Sequence, residues 1–232
     1  MERVDTLPYR IIMERASDRL MSMAELMEDH SFKKIPKDKI DYFIDESIKI
    51  GIETAINSMD KYKSLEEICE DKKIKVELDT TEYDFEMVKF RGKYKEEREK
   101  IIIYDGSIKR MEIAYRELGI RFLNYNNIYR ILLAHELFHY MESKEIGNTY
   151  EKLDEVNVFR LGPIKKSYPI IKTSDIGANI FAKKFLNLSF NPKVLNYLYL
   201  WGTGIVDKNK LLDYYNELDE RLKVYYLTNI EG

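Results

Sequence analysis

The spacing of apolar residues divides the chain into a helical first quarter, a short extended centre and a helical remainder. Over residues 8–29, Ile11, Ile12, Leu20, Met23, Leu26 and Met27 recur at near-helical spacing and predict one long helix. Pro36 breaks the pattern within 31–37. It resumes over 38–59, where Ile40, Phe43, Ile44, Ile48, Ile52 and Ile56 form a stripe that needs a partner surface. A short helix is predicted over 64–71, with Ser64 as N-cap and Glu67 as its capping-box partner. The period then drops to two. In KIKVEL, Ile74, Val76 and Leu78 alternate with polar residues, as in a half-buried strand. EMVKFRG (86–92) and KIIIYDG (100–106) predict a second and a third strand, with the polar stretch between them as a hairpin turn. Helical spacing returns over 108–118, 125–143, 174–188, 192–201 and 207–222, while 144–173 has no clear period.

This order predicts an α+β fold, mostly helical, with a small antiparallel sheet of about three strands. Three regions are expected: a helical pair (1–62) packed on a main domain (63–190), and C-terminal helices (191–232) within the same compact unit. The first two helices are too long, and too loosely joined, for a DNA-reading helix-turn-helix.

Composition narrows the function classes. Of 232 residues, 44% are hydrophobic, enough for a full core and against disorder. Lys and Arg total 38 against 41 Asp and Glu, a net charge of −3, so no global field draws the chain to nucleic acid or an anionic membrane. No stretch approaches the ~20 apolar residues of a membrane-spanning helix. The opening MERVDTLPYR has acids and no apolar run, unlike a secretory signal. The single cysteine, Cys69, excludes an internal disulfide and fits a reducing compartment. The expectation is a cytoplasmic protein with neither nucleic acid nor membrane as a direct partner.

The chemistry is concentrated in RILLAHELFHYMES (130–143), which contains two of the three histidines. His135-Glu136-Leu137-Phe138-His139 is an H-E-x-x-H pattern. On a helix, residues i and i+4 share a face, so both imidazoles can reach one metal ion. Glu136, rotated by about 100° from His135, can face a water on the metal without ligating it, as a general base would. The pentapeptide also recurs by chance, so its context decides. The apolar ILLA before it indicates a buried helix, and burying His, Glu and His without a compensating partner is costly. A zinc site of this type needs a third protein ligand. The metzincin pattern is excluded, because Glu142 and Glu145 stand where it requires Gly and His. His30 lies far upstream and reads as a surface or capping histidine. Two carboxylates remain open: Asp175, which shares a helix face with Ala178, Asn179 and Ala182, and Glu155 in LDEVNVFR. Asn179 is a candidate for orienting a ligand by a hydrogen bond, or for helix packing. Tyr140 reads mainly as packing.

Four segments together resemble the ImmA/IrrE family of metallopeptidases: SLEEICEDKKIKVEL, IIIYDG, RILLAHELFHYMES and SDIGANIFAKKFL (174–186). The resemblance covers roughly residues 64–190. It implies that the acidic residue three before the Ala-Asn pair, here Asp175, is the third zinc ligand. The family usually has Glu there. Asp is one methylene shorter, so its helix must approach more closely, and Gly177 permits that approach. The resemblance implies a zinc-dependent endopeptidase with metal ligands His135, His139 and Asp175, and Glu136 as catalytic base. Its substrate would be a protein, such as a helix-turn-helix repressor or similar regulator of a mobile element or stress response. The alternative is a non-catalytic metal-binding protein that acts by binding a transcription regulator.

Overall fold

A computed structural model describes residues 8–81, 92–161 and 164–230, with backbone alone for 158–161, 164–165 and 226–230. The first predicted helix is two: α1 (Pro8–Arg15) and α2 (Asp18–Leu26). The break is at Ser17, whose backbone is extended and whose Oγ accepts a hydrogen bond from the Leu20 amide at 3.2 Å. A serine capping α2 thus interrupts an apolar period that continues across it.

In α3 (Ile40–Met59), Ile40, Phe43 and Ile44 are buried as the sequence implies. One turn later the buried face becomes Ser47, Gly51, Thr54, Ala55 and Ser58, and Ile52, Ile56 and Met59 face solvent at 36%, 44% and 47% exposure. The cause is the closeness of α8 (Lys172–Phe185). A Cβ on Gly51 would lie 2.6 Å from the Gly177 carbonyl oxygen and 2.9 Å from Ile180 Cβ. Only small residues fit such a seam. Ser47, Thr54 and Ser58 enter it because each hydroxyl donates to the carbonyl four residues back, at 2.6–2.8 Å.

Helix α4 (Leu65–Asp71) starts where the sequence indicates. Ser64 Oγ accepts from the Glu67 amide, although the Glu67 carboxylate reaches back to the Lys63 amide rather than to Ser64. Strands β1 (Lys75–Asp79), β2 (Gly92–Lys95) and β3 (Lys100–Tyr104) form a sheet ordered β1-β3-β2. The mostly helical α+β class and the three strands agree with the sequence pattern, but the sheet is mixed rather than antiparallel. β3 runs parallel to β1 and antiparallel to β2. Ile101, Ile102 and Ile103 are all buried, as expected of a central strand covered on both faces. Residues 86–91 of the predicted second strand lie outside the described residues. β2 begins at Gly92 and extends into the stretch predicted as turn, which tightens to Glu96–Glu99 with Glu99 in the left-handed region at φ 47°.

Helices α5 (Asp105–Glu117) and α6 (Tyr125–Met141) follow, and α6 runs into a π-type turn, Glu142–Ile146. The aperiodic stretch holds α7 (Thr149–Lys152) and a second hairpin, β4 (Val156–Leu161) with β5 (Ile164–Tyr168). After α8 come α9 (Val194–Gly202) and α10 (Lys208–Ile230). Helix α6 packs against β2 and β3 and against α8, while α3 covers α8 from outside. Among the described residues, no helix is long and apolar enough to cross a membrane.

This seam makes a test at two neighbouring positions. Gly51→Ala should gain about 1 kcal/mol in helix propensity but lose about 1–3 kcal/mol to overpacking against backbone. A net loss of stability is therefore expected in denaturant unfolding. Ile56→Ala, on the solvent face, should change stability by no more than about 0.5 kcal/mol. The reverse ranking would mean that α3 buries its isoleucine stripe instead.

Candidate metal centre

Helix α6 is nearly surrounded. Asn124 caps it by accepting from the Asn127 amide at 3.0 Å, and Ile128, Ile131, Leu133, Ala134, Leu137 and Phe138 are all buried. His135 and His139 stand one turn apart with Nε2 atoms 3.2 Å from each other. The first turn of α8 brings in Asp175, whose Oδ1 is 3.6 Å from His135 Nε2 and 3.7 Å from His139 Nε2. A tetrahedral ion with bonds of about 2.0–2.1 Å separates its ligand atoms by about 3.3–3.4 Å. The three atoms thus form a triangle of nearly the size such an ion requires, and His135, His139 and Asp175 can hold a metal ion.

The short aspartate reaches because α8 rests directly on α6. A Cβ on Gly177 would meet Phe138 Cζ at 2.6 Å. With no side chain there, the α8 backbone lies against the Phe138 ring, in the middle of the H-E-x-x-H segment.

Two further residues orient the ligands. Glu142, 2% exposed, accepts on Oε2 from His139 Nδ1 at 2.8 Å. Its Oε1 accepts from the Thr149 amide and from Ser174 Oγ, both at 2.8 Å. Once a metal displaces the Nε2 proton, the Nδ1–H held by Glu142 keeps His139 in the tautomer that ligation through Nε2 requires, a common supporting arrangement for histidine ligands. On the other side, Lys172 Nζ donates to Asp175 Oδ2 at 2.8 Å and to Glu25 Oε1 at 3.0 Å.

The electrostatics suit a cation. Burial favours the neutral form of His139, but hydrogen bonds to Asp175 and Glu142 and the charge of Glu136 outweigh it and carry its pKa up to about 10. Burial would raise Asp175, yet the two histidines hold it well below the usual carboxylate range. Glu142 is lowered in the same way: burial opposes its charge, and His139 and Thr149 overcome it. Burial also disfavours the Lys172 ammonium, but Glu25 and Asp175 keep it charged.

Glu136 is outside the ligand triangle. It is 9% exposed, and its Oε2 accepts from the Tyr94 amide of β2 at 2.8 Å. β2 passes so near that a Cβ on Gly92 would come 2.9 Å from Glu136 Cγ. A cleft of about 290 Å³ opens beside His139 and Asp175, walled by Tyr94, Glu96 and Tyr150.

The structure therefore brings together His135, His139 and Asp175, with Glu136 adjacent. Glu155 is exposed, takes a hydrogen bond from Ser167 Oγ at 2.6 Å and is not in the ligand group. His30 is exposed. Tyr140 packs edge-on against Tyr94 with centroids 5.5 Å apart. Asn179 is buried on α8, but the hydrogen bond that orients Asp175 comes from Lys172. Sequence reasoning used Glu142 only to exclude another zinc class and passed over Lys172. The available signals were their i+3 and i−3 spacings from His139 and Asp175 on the same helical faces. No family model, no curated protein and no solved structure matches this chain.

Metal titrated into the metal-free protein against a chromophoric chelator should bind at about one ion per chain. His135→Ala and His139→Ala should each abolish that binding, and Glu142→Gln should weaken it by about 10–100-fold. Glu155→Ala should leave it unchanged. Wild-type affinity in Glu142→Gln would remove the orienting role of Glu142, and a loss in Glu155→Ala would reassign the third ligand.

Proposed function

We propose that the protein is a zinc-dependent endopeptidase. The observation that carries this reading is a carboxylate, Glu136, held beside but outside a group of two imidazoles and one carboxylate that face a common point next to an open cleft. Two histidines and one carboxylate form a donor set suited to zinc, and three protein ligands leave a coordination position for water or substrate. Zinc, when bound, supplies Lewis acidity that polarises a peptide carbonyl and makes water nucleophilic near neutral pH.

The chain's own residues supply the rest. The Tyr94 amide fixes the Glu136 carboxylate, which takes a proton from the attacking water and passes it to the leaving amine. Glu142 keeps His139 in the tautomer whose Nε2 faces the site. Among the described residues β2 is an edge strand of the sheet, and it offers a peptide a partner for strand addition alongside Glu136. The buried H-E-x-x-H helix and the Asp175 helix also support the resemblance to ImmA/IrrE-type peptidases noted from the sequence. On that resemblance, the substrate is a DNA-binding repressor or related regulator in the cytoplasm.

The deciding variant is Glu136→Gln. It should bind metal and unfold like wild type, but cleave a helix-turn-helix regulator from the same genome at least about 100-fold more slowly. Fragments would be read by mass spectrometry. Cleavage at the wild-type rate would reject Glu136 as the base. If metal-loaded wild type leaves that regulator intact but binds it, the protein acts by binding rather than by proteolysis.

A further inference from the structure

We infer that Lys172 is a positioning residue that makes Asp175 a one-oxygen metal ligand, and that Glu25 of α2 holds Lys172 in place for this role. The inference rests on the metal centre proposed above and concerns how one of its ligands is held. Asp175 has two oxygens with separate tasks. Oδ1 faces both imidazoles, at 3.6 and 3.7 Å, while Oδ2 accepts from Lys172 Nζ at 2.8 Å. The ammonium draws Oδ2 toward Lys172, so that closing it onto the ion as a second donor would weaken that bond.

An i,i+3 pair on one helix is worth little by itself, and lysine has a long flexible stem. Here the stem is restrained at both ends. The Lys172 amide donates to Asp29 Oδ2 at 3.0 Å, and Nζ lies 3.0 Å from Glu25 Oε1. Glu25 is 4% exposed, and its second oxygen meets Lys193 Nζ at 2.6 Å. Lys193 is equally buried and also bonds Glu28 at 2.7 Å. A chain of alternating charges thus runs from the ligand into α2 and the start of α9. Each buried charge has an opposite partner, which is the condition for keeping it there. Among the described residues, Lys172 is the one ammonium bonded to a carboxylate of the site. A lysine that merely anchored the start of α8 would require only Glu25 and Asp29. The bond to Oδ2 ties it to the ligand itself.

Cobalt(II) reports this directly, because the intensity of its visible bands follows coordination number. Cobalt-loaded wild type should show the intense bands of a four-coordinate ion. In Lys172→Met, Oδ2 is released to join the ion, and those bands should give way to the less intense, intermediate bands of a five-coordinate one. Lys172→Arg, which can bond both Asp175 and Glu25, should restore them. Lys172→Gln, too short to span the gap, should behave like Lys172→Met and replaces it if circular dichroism shows that Lys172→Met is unfolded. Unchanged spectra in the folded variants, with cobalt bound, would overturn the positioning role alone. Failure of wild type to take up cobalt would overturn the metal centre together with it.

Discussion

The close approach of three helices at one glycine governs the rest of the structure. Gly177 lies between the Phe138 ring of α6 and the bare Gly51 of α3, and a Cβ at either glycine would collide within 3 Å. That contact sets the separation of α6 and α8. The separation in turn allows an aspartate, one methylene shorter than a glutamate, to bring Oδ1 within 4 Å of both imidazoles. Close-packed interiors transmit such constraints because they have little free volume in which to relax.

Around that contact, the charges form two connected sets. One is the candidate centre, where Glu142 unites the end of α6, the start of α7 and the start of α8 through three hydrogen bonds. The other is the Lys172–Glu25–Lys193–Glu28 chain, which joins α8 to α2 and α9. Asp175 belongs to both. Buried ion pairs are weak evidence for stability, because desolvation offsets most of their attraction. Their better-supported effect here is on geometry: they fix which oxygen of Asp175 faces the imidazoles, and which nitrogen of His139.

The sequence showed the chemistry more clearly than the packing. The His135 and His139 pair was legible because i,i+4 spacing on a helix is a geometric statement independent of tertiary context. The Ser64 cap and the β3 run were legible for the same local reason. Residues alone left Asp175 and Glu155 open, since which carboxylate arrives depends on where α8 lies. The α3 face was misread because its isoleucines outweigh glycine, serine and threonine in any apolar count. What decides burial there is the carbonyl of Gly177, far away in the chain. The break at Ser17 was hidden because the apolar period continues across it. The parallel pairing of β1 with β3 was hidden because local pattern does not specify strand order. Glu142 was missed as an orienting residue because its partners, the Thr149 amide and Ser174, are themselves positioned by tertiary structure.

Two helices pressed together at Gly177 bring His135, His139 and Asp175 to one point that can hold a metal ion. Anomalous X-ray diffraction at the zinc edge, from crystals of zinc-loaded protein, tests this most directly. The expected result is one anomalous peak about 2.0–2.2 Å from His135 Nε2, His139 Nε2 and Asp175 Oδ1, with Glu136 outside bonding distance. A peak bonded to Glu136 or Glu155 in place of Asp175, or no peak near the two histidines, would contradict the account.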